Sequence, residues 1–143
     1  MITRLVNSDT DLGEVCELLR QLRPAYSPGG ILRVVERARE KGGYRIACVE
    51  SAGDILCVAG FVIGFKLAWG KHLYVDDLVT TGDRRSKGAG SAMIEWLKTH
   101  ALENGCTQLH LDSSVTRHRA HRFYLRHGFD ITSHHFAISD LDT

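Results

Sequence analysis

The stretch DDLVTTGDRRSKGAGSAMIEWL, Asp76–Leu97, decides how this chain is read. A strand-like run, DDLVT, breaks into glycine and positive charge and then becomes an amphipathic helical pattern through Met93, Ile94 and Leu97. Gly88 and Gly90 flank Ala89 at the break, where glycine lets the backbone turn sharply and approach a ligand with no Cβ in the way. The helix start that follows offers free N–H groups and the positive end of its dipole, and Arg84, Arg85 and Lys87 add charge. These are the components of a phosphate cradle, although GxG alone fits a solvated turn equally well. Spacing excludes two familiar phosphate motifs. A Walker A loop needs G-K-[ST], and Lys87 precedes Gly88; a dinucleotide fingerprint needs a third glycine where Met93 stands.

Outward from this stretch the pattern alternates. Toward the N-terminus, ITRLVN reads as a short strand. A helix follows behind Ser8 or Asp9 as N-cap, with Leu12, Val15, Leu18, Leu19 and Leu22 at helical spacing. Ser27-Pro28 starts a second helix with Ile31, Val34, Val35 and Ala38 apolar and Gly42 past its end. YRIACVE and ILCVAGFVIGFKLAW, separated by SAGD, read as a hairpin, and HLYVDDLVT as the next strand. A helix from about Ser91 to Ala101 ends before Gly105. TQLHLDS then reads as strand, RHRAHRFYLRH as a short helix closed by Gly128, and FDITSHHFAIS as terminal strand. This order predicts an α/β or α+β sheet covered by helices, in one domain spanning 1–143 with no linker.

Composition narrows the function classes. A chain of 143 residues is about one domain and can bury ~70% of its unfolded surface. Apolar residues at 43%, charged at 24% and two prolines describe an ordinary globular protein. The longest apolar run, ILCVAGFVIGF, falls short of the ~20 residues of a membrane span. MITRLVNSDTD lacks the basic flank and apolar core of a signal peptide, so a cytoplasmic location is expected. The four cysteines stand apart in apolar runs without CxxC spacing and read as buried free thiols. A formal net charge of +1 gives no global attraction to nucleic acid, so anions should be bound locally.

The second motif settles the class. RSKGAG matches the [RQ]-x-x-G-x-[GA] pyrophosphate loop of the GNAT superfamily of N-acetyltransferases, and AHRFYLRHGF matches that family's A-x-x-F-Y-x-x-x-G-F. Both lie in family order, one helix and one strand apart, behind two helices and a hairpin. The resemblance covers nearly the whole chain, and within the superfamily the chain looks most like bacterial small-molecule acetyltransferases of the aminoalkylphosphonate type. In one departure, Arg117 stands where members commonly carry Asn, three residues before the motif alanine. The resemblance implies a mixed, mostly antiparallel sheet of about six or seven strands flanked by about four helices, splayed around Leu78 and Leu111. It also implies acetyl-CoA as cosubstrate, a small amine as acceptor, and neither nucleic acid nor membrane as partner. It leaves a homodimer open. By resemblance, N–H groups from Leu78, Val79 and Thr80 bind the pantetheine and polarise the acetyl carbonyl. Residues Arg84, Arg85, Ser86, Lys87, Gly88, Ala89, Gly90 and Ser91 take the pyrophosphate.

Acetyl transfer to an amine requires a held thioester, a neutral nucleophile and a proton donor for the thiolate. Tyr124, a phenol with an ordinary pKa near ~10, stays protonated at neutral pH and is the expected acid. Its partner Phe123 is expected in the core. Asp76 and Asp77 fall on opposite faces of a strand, so one of them looks into the cleft as base. Asp76, on the face of Tyr74, is preferred, directly or through water, with Asp77 as alternate. His118 and His121 stand at i, i+3 spacing without an accompanying carboxylate or thiolate, so no metal is expected. His134 and His135 should alternate across the terminal strand. A non-catalytic coenzyme A-binding sensor would share the cofactor site. Tyr26, Trp69 and His135 are candidate acceptor contacts.

Overall fold

The computed structural model describes residues 1–7, 9–82 and 88–142, and their contacts group into two units, Met1–Leu111 and Asp112–Thr143. In the first unit, strand β1 (Ile2–Leu5) leads through a 3-10 turn, Asp9–Asp11, into helix α1 (Leu12–Leu22). Asp11 occupies the N-cap without a side-chain capping bond, its carboxylate pairing instead with Arg4 at 2.9 Å; of the two expected caps, Asp9 lies in the turn and Ser8 lies outside the described residues. The helix buries Leu12, Val15, Cys16, Leu18 and Leu19 along one stripe. Helix α2 (Pro28–Gly42) begins as its sequence dictates, with the Ser27 hydroxyl accepting from Gly30 N at 3.0 Å and Pro28 at the first turn. It runs through Gly42, and Gly43 makes the left-handed exit at φ 69°. Ile31 and Val35 are buried, whereas Val34 is exposed.

Strands β2 (Arg45–Ser51), β3 (Asp54–Lys66) and β4 (Gly70–Thr80) continue the antiparallel sheet in sequence order, and helix α3 (Ala89–Glu103) carries the chain to β5 (Gln108–Leu111), parallel to β4. A parallel neighbour requires such a crossover. The sheet is therefore mixed and has five strands. One face carries Tyr44, Ile46, Cys48 and Val58 against the buried side of α1 and α2. Residues one position along, such as Phe61, point to the other face, where Phe61 meets Trp96 and His100 of α3 edge-on at 6.1 and 5.5 Å. Met93, Ile94 and Leu97 of α3 are fully buried, each contributing about 1.5–3 kcal/mol by leaving water.

In the second unit, helix α4 (His118–Arg126) is followed by Gly128 at φ 92°. No strand forms over 129–139, so the expected six or seven strands reduce to five among the described residues. The physical reason is that alternation alone does not make a strand: Ile131, Phe136 and Ile138 are 75%, 91% and 75% exposed, and a strand needs a ladder partner for its backbone groups. His134 and His135 accordingly alternate across no strand; His135 Nδ1 lies 3.3 Å from an Asp112 carboxylate oxygen.

Candidate active site

The centre of the site is an irregularity in β4. Val75 pairs with Phe61 and Asp77 with Gly60, so Asp76 is an extra residue with no opposite number in β3. Such a bulge bends the strand and resets its alternation. Tyr74 and Asp77 thus share the α1/α2 face, since Tyr74 pairs with Val62 two positions from Gly60. Alternation alone would have put Asp77 on the face opposite Tyr74.

The two aspartates then differ in kind. Asp77 is largely buried: Tyr44 Oη donates to its Oδ2 at 2.8 Å, and Arg23 Nε donates to Oδ1 at 3.1 Å with a second guanidinium nitrogen at 3.0 Å. Burial first, and the facing Asp77 second, push the Tyr44 hydroxyl far above the ordinary phenol range, so it stays a donor. The Asp76 carboxylate has no hydrogen-bond or ion-pair partner among the described residues, while its carbonyl accepts from Arg23 at 3.2 Å. The residue as a whole is exposed; the partial desolvation its carboxylate meets raises its pKa above the usual carboxylate value, the neighbouring Asp77 charge adds to this, and Arg23 opposes it. A carboxylate raised in this way is a better proton acceptor at neutral pH.

Beyond Asp76, the strands part. β5 pairs with β4 only from His72 to Val75, against Gln108–Leu111, whereas β4 stays paired with β3 out to Thr80. Leu78, Val79 and Thr80 therefore lie past the last β5 contact, which is the expected splay. One residue further on, the buried Thr81 hydroxyl has no partner among the described residues, a polar atom available to a bound group. Asp83 to Lys87, including the expected Arg84, Arg85, Ser86 and Lys87, lie outside the described residues. The described residues resume at Gly88, the N-cap of α3, at φ 84° with no side-chain cap bond. A Cβ added there would meet no atom of the described residues within 4 Å. Ala89 is buried, Gly90 and Ser91 are half-buried, and all three sit in the first turn, where helix N–H groups lack intrahelical acceptors. This donor set suits a pyrophosphate.

Tyr124 belongs to the other unit. It is the buried residue of α4, with its ring edge-on to Phe123 at 5.5 Å and to Phe129 at 5.7 Å. Phe123 is only half-buried, so the expected assignment of Phe123 as the core member is reversed. His118 and His121 rings lie 6.0 Å apart, and His121 Nε2 is 2.6 Å from the Ser114 carbonyl oxygen. Among the described residues, no group of three or more His, Cys, Asp or Glu is placed to hold a metal, and no helix is long and apolar enough to cross a membrane. Sequence reading missed Arg23, Tyr44 and Gly60. Only Gly60 carried a signal, as a glycine inside a strand run.

The family model for acetyltransferases of the GNAT family matches residues 14–129. An uncharacterized N-acetyltransferase of Bacillus subtilis, YhdJ, is 29% identical over 132 residues, covering 92% of this chain and 93% of the relative. The aminoalkylphosphonate N-acetyltransferase of Salmonella typhimurium is 31% identical over 126 residues, covering 86% of this chain and 79% of the relative. In fold, the chain resembles an aminoglycoside N-acetyltransferase, AAC(6')-Iy, solved in complex with CoA, with a TM-score of 0.84 at 16% identity over 98% of this chain and 94% of that one. With the family match, the parted strands and the glycine-capped helix in place, the chain belongs to the GNAT family and is an acetyl-CoA-dependent N-acetyltransferase.

Proposed function

We propose that this protein transfers the acetyl group of acetyl-CoA directly to a primary amine of a small molecule, with Asp76 as base and Tyr124 as acid. The observation that carries this reading is the β4 bulge, which takes Asp76 out of the ladder; its carboxylate has no partner among the described residues, whereas both Asp77 oxygens are taken. Asp76 takes the proton from the acceptor ammonium, directly or through a water. The neutral nitrogen then attacks the thioester carbon, and backbone N–H groups of Leu78, Val79 and Thr80 stabilise the developing oxyanion. As the tetrahedral adduct collapses, the C–S bond breaks and the Tyr124 hydroxyl protonates the departing thiolate. The adduct nitrogen, positively charged after the attack, gives up its extra proton to solvent while the phenolate regains one, Asp76 releases its own proton to solvent, and the products are the acetylated amine and free coenzyme A. The pyrophosphate is assigned to residues Arg84 to Ser91, with Gly88, Ala89 and Gly90 admitting it to the α3 N-terminus.

The Salmonella relative acts on aminoalkylphosphonates, and small amines of that size are the acceptor class we favour, in a cytoplasmic setting with acetyl-CoA at hand. The pH dependence of an Asp76→Asn variant tests the base. Its kcat should fall most at low pH, where the amine is protonated, and recover partly as pH rises. A profile superimposable on wild type would remove Asp76 from the mechanism.

A further inference from the structure

The bulge that sets Asp76 apart is held by residues outside both family motifs. Gly60 is the β3 residue opposite Asp77, and the Tyr44 ring crosses it so closely that a Cβ there would coincide with the Tyr44 hydroxyl. The missing side chain at Gly60 is what gives the ring its path. Its hydroxyl reaches one oxygen of Asp77 at 2.8 Å, and Arg23, the residue that caps α1, reaches the other at 3.0 and 3.1 Å. Arg23 also donates to the carbonyl of Asp76, the one residue of the pair with no β3 partner. One guanidinium therefore ties down both the anchor carboxylate and the extra residue of the bulge.

We propose that Tyr44 and Arg23 are positioning residues for acetyl transfer: together they make Asp77 the fixed anchor of the β4 bulge and so determine where the Asp76 carboxylate stands. The proposal rests on the reading of Asp76 as base. The charged and titratable groups facing Asp76 are Asp77 on its own strand, Arg23 from the end of α1, and Tyr44 through Asp77. Each side of the clamp has a separate consequence. Tyr44→Phe keeps the ring and every charge but frees one Asp77 oxygen, so it changes geometry alone. Arg23→Gln removes a cation that favours ionised Asp76, so it changes geometry and charge. Arg23→Lys restores the charge without the planar fork that spans Asp77 and the Asp76 carbonyl.

The test measures kcat, acetyl-CoA affinity by calorimetry, and the titration midpoint of the Asp76 carboxyl by carbon-detected NMR, with thermal melting as a check on folding. All three variants should lose kcat by about 10- to 100-fold, the size expected when a reacting group is misplaced by a fraction of an ångström or more, with acetyl-CoA affinity unchanged. The Asp76 midpoint should rise in Arg23→Gln and return toward wild type in Arg23→Lys. Folded Tyr44→Phe and Arg23→Gln proteins with wild-type kcat would overturn the proposal, as would equal losses of kcat and acetyl-CoA affinity. If Arg23→Gln does not melt cooperatively, Tyr44→Phe decides on kcat. An Asp76→Asn protein with a wild-type pH profile would defeat the base reading alone, and the Asp76 midpoint in Arg23→Gln would still report the clamp.

Discussion

Replacing Gly88 by valine separates backbone strain from loss of a ligand. Gly88 has φ 84°, and a Cβ there would meet no atom of the described residues within 4 Å, so the main penalty expected from the protein itself is its left-handed backbone. That penalty is about 1–2 kcal/mol for an L-residue and larger for a β-branched one. A loss of that size lowers Tm by roughly 3–8 °C in a domain of this length. Gly53, in the β2–β3 turn, has the same φ of 84° and equally open space, so Gly53→Val is a matched control for strain. The two differ in what lies beside them. At the start of α3, the added methyls occupy the space through which a phosphate would approach the helix N–H groups. Losing one such charge-assisted hydrogen bond costs about 1.5–3 kcal/mol, or roughly 10- to 150-fold in Kd. Calorimetry should therefore find weakened acetyl-CoA binding in Gly88→Val and wild-type binding in Gly53→Val, at similar Tm losses. Wild-type affinity in a folded Gly88→Val protein would refute the cradle.

Three further outcomes are expected. Tyr124→Phe should lower kcat by roughly 10²–10⁴-fold with acetyl-CoA affinity unchanged; a stable variant with wild-type kcat would make the hydroxyl structural. Asp76 holds its proton more tightly folded than unfolded, so the stability it contributes is present below its unfolded value of 3.8 and is lost as pH rises through the raised folded value. Asp76→Asn should accordingly melt higher than wild type at pH 7, with the gap closing toward pH 3; a lower melting point at pH 7 would contradict this. All four cysteines are buried, and burial pushes the Cys57 thiol up to about 12, so a thiol reagent should label the native protein only as it unfolds. Rapid labelling of the folded protein would contradict that packing.

What the sequence conveyed and what it withheld follow from the range of the interactions. Helix α2 was legible almost to its caps, because Ser27, Pro28 and the Gly42–Gly43 pair act within a few residues of themselves. The glycine break before α3 was legible for the same reason. The bulge was not, because an extra residue exists only relative to a partner strand, and nothing in DD says that Gly60 will face the second aspartate. Hence Asp76 and Asp77 could be separated by alternation but not by environment. Arg23 lies 54 positions from Asp77 along the chain, and no local pattern links them. FDITSHHFAIS misled in the opposite sense, since its alternation satisfies the local rule for a strand while no ladder partner pairs with it.

The reaction proposed for this protein is direct acetyl transfer to a small primary amine. It is tested most directly by incubating the protein with acetyl-CoA and a panel of aminophosphonates, amino acid derivatives, polyamines and aminoglycosides, following free thiol and acetylated product together by mass spectrometry. At least one amine should be acetylated with stoichiometric release of coenzyme A, and Asp76→Asn should slow this most at low pH. Binding of acetyl-CoA with no acetylated product from any amine on the panel, and no amine-stimulated thiol release, would contradict it and favour a coenzyme A sensor.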